Sequence, residues 1–311
     1  MSAELHNRQE GMVSQRTAWL LLGAVIIFWG INWPVMKYGL RYVPPLAFAD
    51  LRLLLGGVVL AIVAALRHEL RWPHREDWPL VWGVGLLQMA AFMGLTNLGL
   101  QYVPAGRSAI LAYTTPLWVT PLAVLWLDER LTRLHLIGLL LGLGGVAALF
   151  NPFAFDWHNP KVLLGNGLLL FAALLWAILI VQVRGHRWRG SPLSLAPWQM
   201  LVAALTLMPF VLFFEDLGML HWSAPLGWVL LYNGPIATAF CFWAMISVTR
   251  ALPAITTSLS MLSVPLVGYA AAVLTLGEVI SLSDSTGFAL ILGGLACASL
   301  SDWRNSRRAA A

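Results

Sequence analysis

Charge is scarce in this chain: Asp, Glu, Lys and Arg make up 11% of its 311 residues, where a soluble globular domain carries about a quarter. Hydrophobic residues make up 59% and the mean hydropathy is +0.76, so there is too little polar surface to clothe a soluble particle of this size. Cysteine is nearly absent. Cys241 and Cys297 both fall inside apolar runs, where they read as small apolar side chains, and two thiols build no disulfide framework. The histidines His6, His68, His74, His135, His158, His186 and His221 all sit in loops or at the ends of apolar runs, and no two have metal-ligand spacing on a shared helix. No metal and no cofactor is expected. No GxxxxGK[ST] loop is present to cradle ATP phosphates, which argues against a primary pump. HExxH motifs, paired aspartates for a diphosphate and nucleophile–base pairs are also missing from the apolar runs, which argues against an intramembrane enzyme.

What the chain has in abundance is apolar runs of about 20 residues, the length that a hydrocarbon core of about 30 Å demands. Ten can be read, near 17–39, 46–66, 78–101, 105–127, 134–150, 164–184, 192–214, 224–248, 254–276 and 283–303. The first is longer than the apolar core of a signal peptide and carries no clear small-residue cleavage site, so it reads as a retained helix. The expected fold class is therefore an all-α polytopic membrane protein with ten transmembrane helices.

Orientation follows from the basic residues. With a cytoplasmic N-terminus, the loops on that side hold 14 of the 19 Lys and Arg, whereas Lys37, Arg41, Arg107 and Lys161 fall on the opposite side and Arg52 lies within a run. Both termini are expected in the cytoplasm. This asymmetry also accounts for the net charge of +5, which needs no nucleic-acid partner. The partners called for are the lipid bilayer and a small-molecule solute, and a monomer is compatible with both.

The segment TTPLWVTPLAVLWLDERL places Pro116 inside an apolar run and Glu129 at its end, and both features recur. A displacement of 149 residues carries Pro104-Ala105 onto Pro253-Ala254, Pro116-Leu117 onto Pro265-Leu266, Glu129 onto Glu278, Gly138 onto Gly287 and Gly144-Gly145 onto Gly293-Gly294. Nearer the start of each half a displacement of 147 carries Trp29 onto Trp176 and Arg52 onto Gln199. The chain thus divides into a tail (1–16), a five-helix unit (17–150), a linker (151–163), a second five-helix unit (164–303) and a second tail (304–311). Two copies of an odd number of spans must cross in opposite senses. That is an inverted repeat, the plan by which many secondary transporters expose a central site to each side in turn. Pro116 and Pro265 are then matched hinge candidates, or static packing kinks. Glu129 and Glu278, at the boundary on opposite faces, read as anchors for loop amides or a nearby Arg.

Several stretches carry a resemblance: FWGINWPVMKYGL, FADLRLLLGG, YVPAGRSAILAYTTPLWVTPLAVLWLDERL and LIGLLLGLGGVAALF in the first half, LPAITTSLSMLSVPLVGYAAAVLTLGEVI and TGFALILGGLACASL in the second. They resemble the EamA repeat of the drug/metabolite transporter superfamily over nearly the whole chain, and within it the aromatic amino acid exporter branch. The resemblance implies a ten-helix carrier in a bacterial inner membrane that exports metabolites such as amino acids. Carriage of another metabolite class, such as sugars or purines, and a non-transporting scaffold or receptor are the alternatives. One departure is plain: the first-helix glutamate of the related small multidrug resistance proteins has no counterpart, because the first span holds no acidic residue.

Polar groups inside spans are costly and mark the interior or a water-filled path. In span one Trp29, Asn32 and Trp33 fall close together on one face, and Asn32 either meets a substrate's carboxylate or ammonium or satisfies backbone freed by Pro34. Gln88 and Asn97 are amides in the third span, and Tyr113 and Thr114 adjoin the proline of the fourth. Thr256, Ser260 and Ser263 share one face of the ninth; such hydroxyls line a cavity or bond back to their own helix. Trp176 and Trp243 are aromatic wall candidates, although among 16 Trp many, including Trp19, Trp72, Trp78 and Trp303, read as interface-belt residues. Asp50 and Arg52 lie two apart on different helix faces, and Arg52 snorkels, caps carbonyls or meets a substrate carboxylate. No ionisable residue is expected at the midplane.

Overall fold

The computed structural model describes residues 13–127, 132–150, 159–184, 189–252, 260–261, 263–279 and 281–310. Among these, all regular structure is helical. We number the helices α1 (Gln15–Gly39), α2 (Pro45–Leu66), α3 (Arg75–Leu100), α4 (Ala105–Ala112), α5 (Thr115–Leu127), α6 (Arg133–Phe150), α7 (Pro160–Arg184) and α8 (Pro192–Phe214). A continuous run made of Ala224–Leu231, Tyr232–Phe240 and Cys241–Ala251 is α9, followed by α10 (Ser263–Leu276) and α11 (Leu282–Ala310). Six of them, α1, α2, α3, α7, α8 and α9, are long and apolar enough among the described residues to cross a bilayer, whereas Arg133–Gly145 and Ser263–Leu276 are shorter apolar helices. Residues 253–259 and 262 of the expected ninth span, which include Thr256, lie outside the described residues, as does Glu129.

Local sequence sets the helix starts. Proline occupies the first turn of α2, α8 and α9, where its missing N–H is not needed. The side chains of Ser14, Ser191 and Ser223 cap α1, α8 and α9 by accepting from Thr17, Ser194 and Leu226 N–H. The expected continuous fourth span is instead split. α4 stops at Ala112, and α5 restarts at Thr115 with Pro116 in its first turn. Pro116 brings no N–H to the Ala112 carbonyl four residues back, and Thr115 Oγ1 donates to that carbonyl at 3.1 Å. Thr114 Oγ1 likewise donates to Leu111 O at 2.7 Å.

Two other irregularities carry no proline-in-the-middle signature that both share: α3 widens into a π-helix over Val84–Ala91 and α9 does so over Tyr232–Phe240. Each has a glycine at a close crossing. A Cβ on Gly85 would stand 2.9 Å from Gln199 O and 2.8 Å from Val202 Cγ1 of α8, and one on Gly234 would stand 2.5 Å from Leu55 Cβ of α2. Gly85 and Gly234 are 149 residues apart, and Val202 and Leu55 are 147 apart, so the two crossings correspond.

The same correspondence runs through the helix packing. α2 packs on α8, α6 on α11 and α4 on α10; α1 packs on α10 as α7 does on α5, α2 on α9 as α8 does on α3, and α1 on α9 as α7 does on α3. The α6–α11 crossing brings backbone against backbone. A Cβ on Gly145 would meet Gly287 O at 2.6 Å, and one on Gly294 would meet Gly138 O at 2.5 Å, so the glycines matched by the repeat face one another across the pair. Small residues of this kind let membrane helices approach backbone to backbone.

At one end of the bundle, carboxylates from the end of one helix reach the start of another. Glu278 accepts Ala105 N–H on Oε1 at 2.5 Å and Gly106 N–H on Oε2 at 3.0 Å, at the start of α4. Glu215, at the end of α8, accepts Leu46 and Ala47 N–H at 2.7 Å each, at the start of α2. Both carboxylates satisfy donors that a helix start leaves free and sit where the helix dipole favours an anion. Gly277, at φ +67°, turns the chain after α10 toward α4 in a conformation glycine adopts without steric cost. Nearby, Arg107 Nη2 pairs with Asp284 Oδ1 at 2.8 Å, and Lys37 Nζ donates to the carbonyls of Leu100, Gln101 and Val103 at the end of α3.

Candidate functional site

A cavity of about 100 Å³ lies among α1, α2, α3, α7, α9 and the α4–α5 break, several times the roughly 10–15 Å³ that one water needs on the same measure. α1 contributes Trp29, Asn32, Trp33 and Met36; α2 contributes Arg52; α3 contributes Gln88, Met89, Phe92, Met93 and Thr96. Tyr113 enters from the helix break, Trp176 from α7, and Ala237, Thr238 and Phe242 from α9. Both π-helical segments therefore reach the cavity, through Gln88 and Met89 on one side and Ala237 and Thr238 on the other. A π turn rotates the following side chains and loosens the carbonyl ladder, which is why such turns recur at functional sites.

The aromatic wall is held by directed contacts. Trp29 Nε1 donates to Ala237 O at 2.8 Å, so an indole of α1 takes up a carbonyl of the π segment of α9. Trp176, the repeat mate of Trp29, meets Phe92 edge-on at 4.8 Å and Tyr113 at 6.3 Å between ring centroids. Outside the lining, Tyr232 Oη of α9 donates to Phe28 O of α1 at 2.7 Å. Rings fixed this way offer broad apolar area at little entropic cost, and their faces attract cations.

The polar part is small. Asn32 Oδ1 and Thr96 Oγ1, both buried, make no hydrogen bond to protein, and each belongs to a residue of the cavity wall. Among the described residues Arg52 is the single full charge of the lining; it is 5% exposed, donates from Nε to Thr238 Oγ1 at 3.2 Å, and meets Met36 Sδ through Nη1 at 2.9 Å. Among the described residues no group of three His, Cys, Asp or Glu is placed to hold a metal ion.

The residues proposed from sequence divide into two sets. Trp29, Asn32, Trp33, Gln88, Tyr113 and Trp176 come together in the cavity. Asn97 is buried but outside the lining, with Nδ2 and Oδ1 both unbonded. Thr114 spends its hydroxyl on Leu111 O, and Trp243 turns away to pack on Phe240 and take the Arg67 guanidinium over its ring at 5.8 Å. Ser260 and Ser263 are half-buried and also outside the lining. Arg107, a cation near the same end, is bound to Asp284. Of the two hinge candidates, Pro116 stands in the first turn of α5 and Pro265 is buried near the start of α10.

The lining also includes Met36, Met89, Phe92, Met93, Thr96, Ala237, Thr238 and Phe242, none of which was placed in the site from sequence, and Arg52, for which a substrate carboxylate was one of three readings. The apolar members look like any core residue. Thr96, Thr238 and above all Arg52 did carry a signal, since each is polar within a span.

The sequence profile of the EamA-like transporter family matches residues 16–151 and, a second time, residues 163–300. The chain belongs to the EamA-like transporter family. It is thus a multi-pass membrane protein of a transporter family rather than one of an enzyme family. An uncharacterized transporter of Bacillus subtilis, YvbV, is 32% identical over 278 residues, 89% of each chain. A Salmonella typhimurium protein named "Probable amino-acid metabolite efflux pump" is 29% identical over 300 residues, 91% of this chain and 94% of that one. One solved crystal structure shares 25% identity with a TM-score of 0.64, covering 94% of this chain and 99% of the other.

Proposed function

We propose that this EamA-family chain is a secondary carrier that exports small neutral or zwitterionic metabolites, foremost amino acids including aromatic ones, by alternating access. The observation that carries the proposal is the cavity. Aromatic rings, two amides, hydroxyls and one cation converge there, at the crossing of helices whose pairings exchange when the halves are swapped. Support for the two units 17–150 and 164–303 as inverted five-span repeats comes from the two family matches and from the reciprocal glycines of α6 and α11. In this reading ten spans lie in a bacterial inner membrane with both termini in the cytoplasm, and the partners are the solute and the lipid. Pro116 and Pro265 mark matched hinges about which the halves exchange shape. The amino-acid efflux names of distant relatives favour the substrate class.

Proteoliposomes loaded with unlabelled phenylalanine or tryptophan are expected to take up the labelled amino acid by counterflow; a complete lack of counterflow across the amino acids overturns the proposal. Within that assay Trp176→Ala and Asn32→Ala should each weaken apparent affinity by about tenfold, the loss of one aromatic or polar contact. Trp19→Phe, on the exposed face of α1, should leave affinity unchanged. Equal affinity in all three variants would remove the cavity from the site.

The reading of coupling rests on the described residues of the lining, none of which is a carboxylate. Asp50 is buried one turn into α2, but it is not part of the cavity wall. The carrier is therefore read as a facilitator whose net flux follows the substrate gradient. Exchange should proceed without an imposed pH gradient and survive Asp50→Asn; accumulation driven by ΔpH and lost in Asp50→Asn would contradict this.

A further inference from the structure

A guanidinium has five N–H donors. In Arg52 the Nε–H is given to Thr238 Oγ1 and one Nη1–H faces the weakly accepting sulfur of Met36. Among the described residues the other three have no acceptor, and no carboxylate pairs with the side chain. Asp50, two positions earlier, lies on a different face of α2, and no ion pair or hydrogen bond joins the two. A cation buried without a counter-charge is strongly unfavourable, and a carboxylate with charge-assisted hydrogen bonds removes that penalty. The other cations near this part of the bundle are engaged, Arg107 by Asp284 and Lys37 by backbone carbonyls. Among the described residues Arg52 alone brings an unneutralised charge to the cavity wall.

We infer that Arg52 reads a carboxylate of the transported solute, so that the carrier selects monocarboxylates whose apolar or aromatic remainder packs on Trp29, Trp176 and Phe92. This rests on the carrier reading above and narrows its substrate class. A single guanidinium suits one carboxylate; a phosphate dianion would call for a second cation, and the described residues of the lining include none.

The test compares four compounds with the same ring: phenylalanine, 3-phenylpropionate, phenylalaninamide and phenethylamine, as competitors of labelled-phenylalanine counterflow and as ligands in thermal shift. Wild-type protein should favour the two carboxylates over the amide and the amine by at least about tenfold. Arg52→Gln should weaken phenylalanine by a similar factor while changing phenylalaninamide less than about twofold, and Arg52→Lys should recover part of the preference. If Arg52→Gln does not fold, the wild-type panel decides alone. Equal potency of phenylalanine and phenylalaninamide in wild type, or an unchanged carboxylate preference in folded Arg52→Gln, overturns the role of Arg52 while the carrier reading stands. If no compound is bound or moved, both fall together.

Discussion

Gly294→Val is expected to yield no stable folded carrier in detergent. A Cβ at this position would stand 2.5 Å from Gly138 O and 2.9 Å from Gly142 N. These are backbone atoms of α6, which cannot rotate aside as a side-chain tip can. The helices must move apart, and the damage spreads along their whole contact because packed interiors transmit strain. Overpacking of a close crossing costs roughly 1–3 kcal/mol or more, and lipid supplies no hydrophobic force to hold parted helices together. Gly145→Val should act alike, since its Cβ would meet Gly287 O at 2.6 Å and Ile291 N at 2.8 Å. Gly144→Ala is the control: nothing lies within 4 Å of its added Cβ, and alanine favours a helix over glycine by about 1 kcal/mol. The measurement is monodisperse yield and melting temperature. Wild-type melting of Gly294→Val would mean that α6 and α11 do not touch at this glycine.

Glu278→Ala is expected to have the next largest effect. Its carboxylate holds the Ala105 and Gly106 N–H groups together, and hydrogen bonds to a charged acceptor contribute about 1.5–3 kcal/mol each. Losing both leaves two donors at the start of α4 without an acceptor and removes the anion from the positive end of that helix. A drop of roughly 3 kcal/mol follows, with a lower melting temperature and slower counterflow, because the link from the end of α10 to the start of α4 is lost. Glu278→Gln should fall between, since one amide oxygen can still accept an N–H. Wild-type melting and counterflow in Glu278→Ala would show that this link does not hold the end.

How far the sequence reached is visible residue by residue. The repeat displacement matched Gly138, Gly144 and Gly145 with Gly287, Gly293 and Gly294, but only the packed helices separate Gly145 and Gly294, which meet backbone across the pair, from Gly144, which meets nothing within 4 Å. It named Glu278 as an anchor for amides, and the structure supplies the amides. Trp29, Asn32, Trp33 and Tyr113 were legible because polar or large aromatic groups clustered beside prolines. Thr114 and Trp243 had the same composition signal but spend their groups elsewhere, on a carbonyl of their own helix and on Arg67. Residue type cannot tell a hydroxyl that faces a cavity from one that bonds back three residues.

Composition alone determined that this chain is helical and apolar enough for a bilayer, since a backbone without water must satisfy itself within each span. Spacing determined that its halves correspond. Tertiary structure decided what neither could carry. The break before Pro116 falls at Tyr113 and Thr114. The π turns of α3 and α9 set Gln88 and Thr238 against a common space. Arg52 has a threonine and a sulfur for neighbours instead of a carboxylate. Each of these depends on which helix lies across from which, and a side chain's partner comes from a segment up to 208 residues away. Local periodicity fixes a face, but only the packed bundle fixes what that face meets.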